Sequence, residues 1–213
     1  DPTTGKHRPL SNDRALEDHK DAIATVLNRL LKNSTDQLLA EVIRTTESFE
    51  IAIEANTLLA HFANPKNDPV IRLAALENLQ NSKNALLAST IAKTLNDPDQ
   101  EIRVRSLDAL ARIAPKAAAA QAQKILLSNK IFDLQRAFAT LGGLKNKEAT
   151  QFILTSLQTI SAQPAAVHLD IIEAAKRQDD AKIVAALAAY QSGVDQSNPL
   201  ATHAVTLEGG DIN

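Results

Sequence analysis

The side chains best suited to chemistry in this chain are its five histidines, and their spacing predicts no shared site. They are His7, His19, His61, His168 and His203. No two stand three or four residues apart, the spacing that puts two rings on one face of a helix, and no His-Glu-x-x-His string occurs. We therefore expect each ring to be solvated or half-buried, without a bound metal.

Other reactive motifs are also missing from the sequence. It contains no Gly-x-Ser-x-Gly nucleophile turn, no Gly-x-Gly-x-x-Gly string and no phosphate-binding Walker loop. It has no Cys, which excludes disulfides, zinc knuckles and haem-attachment thiols within these 213 residues. Gly142-Gly143 either allows a close backbone approach or ends a helix, and the second is the commoner role. We expect no catalytic residue, no metal site and no cofactor in this chain.

Four arginines form two pairs with the same spacing. The interval from Arg72 to Arg103 equals the interval from Arg105 to Arg136. In a stack of equal repeats such residues would form a row, and one interpretation is that this row binds an acidic partner. The other is that each guanidinium pairs with a carboxylate or a helix C-terminus in the neighbouring repeat, because stacked like charges repel unless compensated. These four arginines are the candidate partner-binding residues.

Composition favours helices as the elements that position these side chains. Hydrophobic residues make up 44% of the chain but aromatic residues only 3%, and Ala and Leu dominate the apolar set. Such residues lose little rotamer freedom in a helix, whereas strands favour β-branched and aromatic ones. The net charge of −2 gives no electrostatic footprint for nucleic acid. No apolar run of about 18 residues is present, so no membrane insertion is expected.

An internal repeat supports an all-α fold. Val70–Leu79 aligns with Glu101–Leu110, and the offset between them equals the spacing of the paired arginines. We call this offset the repeat interval. Two further segments follow at the same interval. Four segments thus carry a large apolar pair three residues apart: Leu76 and Leu79, Leu107 and Leu110, Phe138 and Leu141, Leu169 and Ile172. Spacings of three and four mark the buried stripe of an amphipathic helix, and stacked hairpins share their core.

Capping residues and prolines divide the chain into helices. Asp68-Pro69 and Asp97-Pro98 suit helix starts, as do Pro115, Pro164 and Pro199, and Thr35 is a further cap. Helices are predicted at 13–32, 35–47, 50–63, 69–80, 83–95, 99–113, 116–128, 131–141, 146–160, 164–177, 180–191 and 199–207. We predict an α-solenoid of about five to six hairpins over 13–207, with an atypical first unit over 13–66. Residues 1–12 and 208–213 are predicted to be linkers.

The repeats resemble HEAT repeats. The likeness rests on first helices that open with Asp-Pro and an arginine three residues later (Asp68, Pro69, Arg72) and on the string Val/Ile-Arg-x-x-Ala/Ser-Leu. It covers about Pro69 to Gln191. It implies an α-α superhelix of the armadillo-like kind that binds other proteins.

The C-terminal region resembles part of a larger protein. His168–Tyr190 and Asn198–Asn213 are similar to the HEAT segment of multidomain proteins from planctomycetes. In that family a dehydrogenase-like β-propeller precedes the repeats, and a c-type cytochrome domain that opens with Gly-Gly-Asp follows them; Gly209-Gly210-Asp211 matches this opening. The resemblance implies an exported or periplasmic, electron-transfer-linked parent whose spacer is this chain. The absence of Met also predicts a fragment or a processed chain.

Three functions compete at this point. The leading hypothesis is a non-catalytic scaffold, spacer or interaction module whose partners are proteins or flanking domains of the same chain. The alternative is a HEAT-like nucleic-acid enzyme such as a DNA glycosylase, which would need a basic face and stacking aromatics, whereas this chain has one Tyr and no Trp. A HEAT-like lyase or hydroxylase would carry metal-binding His-Glu pairs, and no His-Glu dipeptide occurs.

Overall fold

The computed structural model describes residues 19–33, 36–80, 86–127 and 130–193, and within them the regular structure is helical. This confirms the all-α prediction. The eleven α-helices of the described ranges account for the five to six hairpins expected. Their bounds are α1 Lys20–Asn33, α2 Asp36–Ser48, α3 Ala55–Ala63, α4 Pro69–Gln80, α5 Leu87–Thr94, α6 Gln100–Ile113, α7 Pro115–Ile125, α8 Ile131–Gly143, α9 Lys147–Gln158, α10 His168–Lys176 and α11 Ala181–Ser192.

The chain divides into two compact units, residues 1–84 and 85–213. We call them unit 1 and unit 2. In unit 1, α1 packs on α2, and both α2 and α3 pack on α4. The core of this unit includes Ile43, Leu58 and Phe62, each at most 1% exposed. The boundary at residue 66 that the sequence predicts lies inside unit 1.

Unit 2 is a stack of helical hairpins in two layers. Each helix from α5 to α11 packs on the next one along the chain. In addition α8 contacts both α6 and α10, and α9 contacts both α7 and α11. The first helices of the hairpins (α6, α8, α10) therefore form one layer and the second helices (α7, α9, α11) form the other. This is the solenoid-like arrangement predicted from the repeat.

The predicted apolar positions are buried, with one exception in the last repeat. Seven of the eight side chains are at most 8% exposed, and Leu169 is half-buried. The register shifts there, so that Ile171 and Ala175 are also in the core. Two 3-10 turns, Ile160–Ala162 and Ala165–Val167, lengthen the connection between α9 and α10. As a result the caps Asn146 and Asp180 stand farther apart along the chain than one repeat interval.

The helix starts follow from caps, and one cap was predicted wrongly. The carboxylate of Asp68 accepts from the backbone N–H of Val70 at 2.8 Å, and α4 begins at Pro69 as predicted. For α6 the cap is Asp99, which accepts from Ile102 N–H at 2.9 Å. Asp97 instead accepts from the N–H of Asp99, so it folds the loop before the helix.

The helix predicted over 50–63 begins later, at Ala55. Glu50 adopts a left-handed backbone with φ 54°, which no helix interior tolerates. The N–H of Ile51 bonds to Thr46 O at 2.8 Å and that of Glu50 to Glu47 O at 3.0 Å, the pattern of a Schellman C-cap. This cap closes α2. The predicted helix 199–207, Thr35, Pro199 and the linkers 1–12 and 208–213 lie outside the described residues.

Candidate binding face

Arg72 lies inside unit 1 and caps a helix. Its side chain is only 2% exposed, and its Nε donates to the backbone oxygen of Phe62 at 3.0 Å. Phe62 stands in the last turn of α3, where carbonyl groups lack partners within the helix. This contact follows the second interpretation of the arginines, in which the guanidinium satisfies a helix C-terminus.

Arg103 joins two neighbouring repeats. Its guanidinium contacts the carboxylate of Asp133 through Nε and Nη2, with N–O distances of 3.0–3.2 Å. Both side chains are 11% exposed. The Nη1 of Arg103 also donates to the backbone oxygens of Asp97 and Pro98. Because the pair is bidentate and shielded, it fixes α6 against α8.

The other two candidate arginines are also paired. Arg136 on α8 contacts Asp108 on α6, and Arg105 contacts Glu101 one turn earlier on its own helix at 2.8 Å. Arg105 is the most exposed member of these three ion pairs, at 55% of its side chain. All four arginines therefore have partners within the fold. The row that would bind an acidic partner stays a prediction.

The two layers of unit 2 differ in charge. The first helices are balanced: α6 has two acidic and three basic residues, α8 one of each, and α10 two and one, which gives five of each sign. The second helices carry four lysines and a single carboxylate: two lysines on α7, one lysine and Glu148 on α9, and one lysine on α11. Positive charge is thus in excess on the second layer.

These four lysines, Lys116, Lys124, Lys147 and Lys182, are exposed. None of their side chains has a hydrogen bond or ion pair within the described residues of unit 2. Three lie in the first turn of their helices, where the positive end of the helix dipole disfavours a cation. These three first-turn lysines are therefore expected to lower the stability of their helices, and no ion pair within the described residues compensates for this.

The three first-turn lysines share one edge of the layer. The Nδ2 of Asn146, the cap of α9, donates to Pro115 O at the start of α7, at 3.3 Å. The Oγ1 of Thr150 in α9 donates to the Oε1 of Gln178, just before α11, at 3.2 Å. The starts of α7, α9 and α11 thus lie side by side. We call Lys116, Lys147 and Lys182 the lysine row.

A shallow groove runs beside this row between α7 and α9. Its volume is about 410 Å³. Phe152 and the stem of Lys147 give it apolar surface, and polar side chains line the rest. The lining residues are Gln123, Lys147, Glu148, Gln151, Phe152 and Thr155. We call this feature the α7–α9 groove.

Few carboxylates stand near the lysine row, and most are engaged. Asp180 caps α11 by accepting from the N–H groups of Lys182 and Ile183. Asp179 pairs with Lys145 at 3.0 Å, and the Nζ of Lys145 also donates to Arg177 O. Glu148 is exposed at the groove. The row therefore keeps a net positive character.

The sequence contained a partial signal for this face. Lys116 and Lys147 are separated by the repeat interval, as are Lys93 and Lys124 and both arginine pairs. Lys182 stands farther from Lys147 than this interval, because the repeat lengthens between α9 and α11. A fixed period therefore misses the third member. Sequence spacing also does not show which cations the fold pairs internally.

Three histidines lie within the described residues, and each has its own surroundings. Burial lowers the pKa of His61, whose Nδ1 is 3.4 Å from the Nδ2 of Asn67. A ring nitrogen of His168 contacts Gln163 O at 3.0 Å, and His19 is exposed. Within the described ranges no three His, Asp or Glu side chains cluster as metal ligands would. Burial also raises the pKa of Asp170.

None of the helices described here has the length and apolar character needed to cross a membrane. Comparisons with protein-family models, with curated proteins and with solved structures gave no significant match to this chain. What the chain does must therefore be argued from its own surfaces.

Proposed function

We propose that this chain is a non-catalytic, HEAT-like scaffold that binds protein through the second-helix layer of unit 2. The observation that carries the proposal is the difference in charge between the two layers. In the first layer, Arg103 and Arg136 pair with carboxylates of neighbouring helices, and these pairs hold the repeats together. The lysines of the second layer contribute to no such pair, so their charge is available to a partner.

The shape of this face suits a polypeptide. Ala117, Ala120 and Ala185 are exposed between the charged positions, so the face has little relief there. The α7–α9 groove gives a shallow recess beside it. A flat surface with a shallow groove can contact a segment of chain along its length, whereas small-molecule sites bury most of their ligand.

Site-specific photo-crosslinking in the full-length protein tests this proposal. A benzophenone amino acid at Gln151, on the second layer, should crosslink to one identified protein or to a flanking domain. The matched control is the same amino acid at Glu173, which is exposed on the first layer. Equal crosslinking at both positions, or none at Gln151, would refute a specific binding face.

We further propose, from the likeness of the C-terminal region, that the parent protein carries a dehydrogenase-like propeller and a c-type cytochrome domain and is exported. Residues 209–211, which carry the Gly-Gly-Asp match, lie outside the described residues. The gene sequence after Asn213 tests this: a Cys-x-x-Cys-His motif is expected within a few dozen codons. In this parent the helices would act as a spacer, and scattering that shows the flanking domains in contact without the helices would exclude that role.

The nucleic-acid alternative gains one observation, the lysine excess itself. Against it stand the net charge of −2 and the lack of Trp for base stacking. Titration with duplex DNA at low salt separates the two functions. Binding that weakens steeply with salt and depends on the second-layer lysines would favour the alternative.

A further inference from the structure

Building on the proposed function, we infer that the lysine row binds an acidic segment in the polyproline II conformation, with a carboxylate at every third residue. The row presents three exposed ammonium groups, one from each of three successive second helices. A ligand that neutralises all three must cross α7, α9 and α11 in turn. Its charges must then repeat at the distance between helices.

This distance selects the conformation of the ligand. Packed helices are about 8–10 Å apart. A polyproline II helix has three residues per turn and rises about 3.1 Å per residue, so side chains three apart share one side at about 9 Å. In a β-strand, residues three apart point to opposite sides. Of these two geometries, the first places carboxylates three residues apart on one side, at about the distance between helices.

The residues between the carboxylates of such a ligand can contact the α7–α9 groove. The α7–α9 groove begins at Lys147 and extends along α9, so a segment that runs from Lys116 to Lys147 meets this end of the groove. The half-buried ring of Phe152 lines this groove. Proline rings pack well on aromatic surfaces in polyproline recognition. We therefore assign apolar residues, proline above all, to the two positions between carboxylates.

An acidic polypeptide fits these observations better than a nucleic acid does. Lysine binds phosphate as a point charge, and strand recognition normally adds stacking aromatics or arginine planes. The charged residues of α7, α9 and α11 include no arginine. Nucleic acid and anionic lipid therefore enter the test as competing outcomes.

The test uses two fluorescent peptides of one composition, (Glu-Pro-Pro)₃ and Glu₃-Pro₆, titrated with the full chain at low salt. The first should bind more tightly, because only its carboxylates match the row. The variant Lys116→Gln/Lys147→Gln/Lys182→Gln should lose about 3- to 150-fold in affinity for it, as three exposed ion pairs imply. The control Arg44→Gln/Lys66→Gln/Lys176→Gln removes as many charges elsewhere and should bind as the wild type does.

Three results would overturn the inference. They are equal affinity for the two peptides, unchanged affinity in the lysine variant, and lysine-dependent binding of duplex DNA or phosphatidylserine vesicles without binding of (Glu-Pro-Pro)₃. If the peptide fails while Gln151 still crosslinks to a protein partner, the ligand chemistry is wrong and the scaffold function stands. If both fail, the proposed function fails as well.

Discussion

Gly142 and Gly143 are neighbours at the end of α8, and alanine should affect them in opposite directions. A Cβ on Gly142 would lie 2.8 Å from Ala174 Cα and 3.2 Å from Ala174 Cβ on α10. A Cβ on Gly143 would meet nothing within 4 Å. The lack of a side chain at Gly142 therefore permits the close approach of α8 and α10. Gly143 plays no part in this contact.

The expected magnitude follows from two terms. Replacing glycine by alanine in a helix stabilises by about 0.5–1 kcal/mol, and this gain is common to both positions. At Gly142 the clash involves backbone, so α10 must move, and overpacking of this kind costs about 1–3 kcal/mol. The movement also threatens the bonds from Gln178 Nε2 to Gly142 O and Leu144 O. Gly142→Ala should thus be less stable than Gly143→Ala by about 1–3 kcal/mol.

Urea unfolding followed by circular dichroism measures this difference directly. Gly143→Ala serves as the matched control, since it makes the same chemical change one residue away. Equal stability of the two variants, or a more stable Gly142→Ala, would show that α8 and α10 are not packed as closely as described.

Further predictions concern the core, a cap and a buried histidine. Leu107→Ala should cost about 2–5 kcal/mol in denaturant unfolding, because the side chain is 1% exposed; a loss below about 1 kcal/mol would argue against the repeat core. Glu50→Gly should stabilise by about 1 kcal/mol, because glycine adopts the left-handed backbone without strain, whereas Glu50→Ala should not. Since burial lowers the pKa of His61, its contribution to stability is complete above about pH 6.5 and is lost as the pH falls through the lower folded pKa. His61→Gln should flatten that part of the pH profile of unfolding, and an unchanged profile would contradict the assignment.

The helical architecture was predictable because its signals are local and repeated. Leu76, Leu107 and Phe138 recur at one period, and Asp68-Pro69 marks a helix start by its own chemistry. The shift at the last repeat was not predictable in this way. It depends on two 3-10 turns after α9, and the spacing of Leu169 and Ile172 does not predict these turns.

The binding face was harder to predict from the sequence than the helices were, and the reason is electrostatic. Arg103 and Lys147 are both periodic cations, and only the folded structure shows that one meets Asp133 while the other meets no carboxylate among the described residues. Pairing between repeats is a long-range property. The sequence could indicate that cations line up, but it could not show which of them the fold had neutralised.

The predicted start of α3 was wrong for a conformational reason. Glu50 occupies the left-handed position of a Schellman cap where glycine is usual, so the sequence lacks the residue that ordinarily signals a helix end. The bonds from Ile51 and Glu50 back to α2 hold the backbone in place instead. A single-residue pattern cannot reveal a strained turn that its surroundings impose.

Two properties of Lys116→Gln/Lys147→Gln/Lys182→Gln, its free energy of unfolding and its affinity for (Glu-Pro-Pro)₃, together distinguish lysines that bind a partner from lysines that stabilise the fold. If the lysines serve a partner and not the fold, stability should stay the same or rise, by up to about 0.3–1 kcal/mol per site as the unfavourable dipole contact is removed. Binding should be largely lost in the same protein. A variant that is destabilised by more than about 1 kcal/mol, or that binds the peptide as the wild type does, would contradict the account.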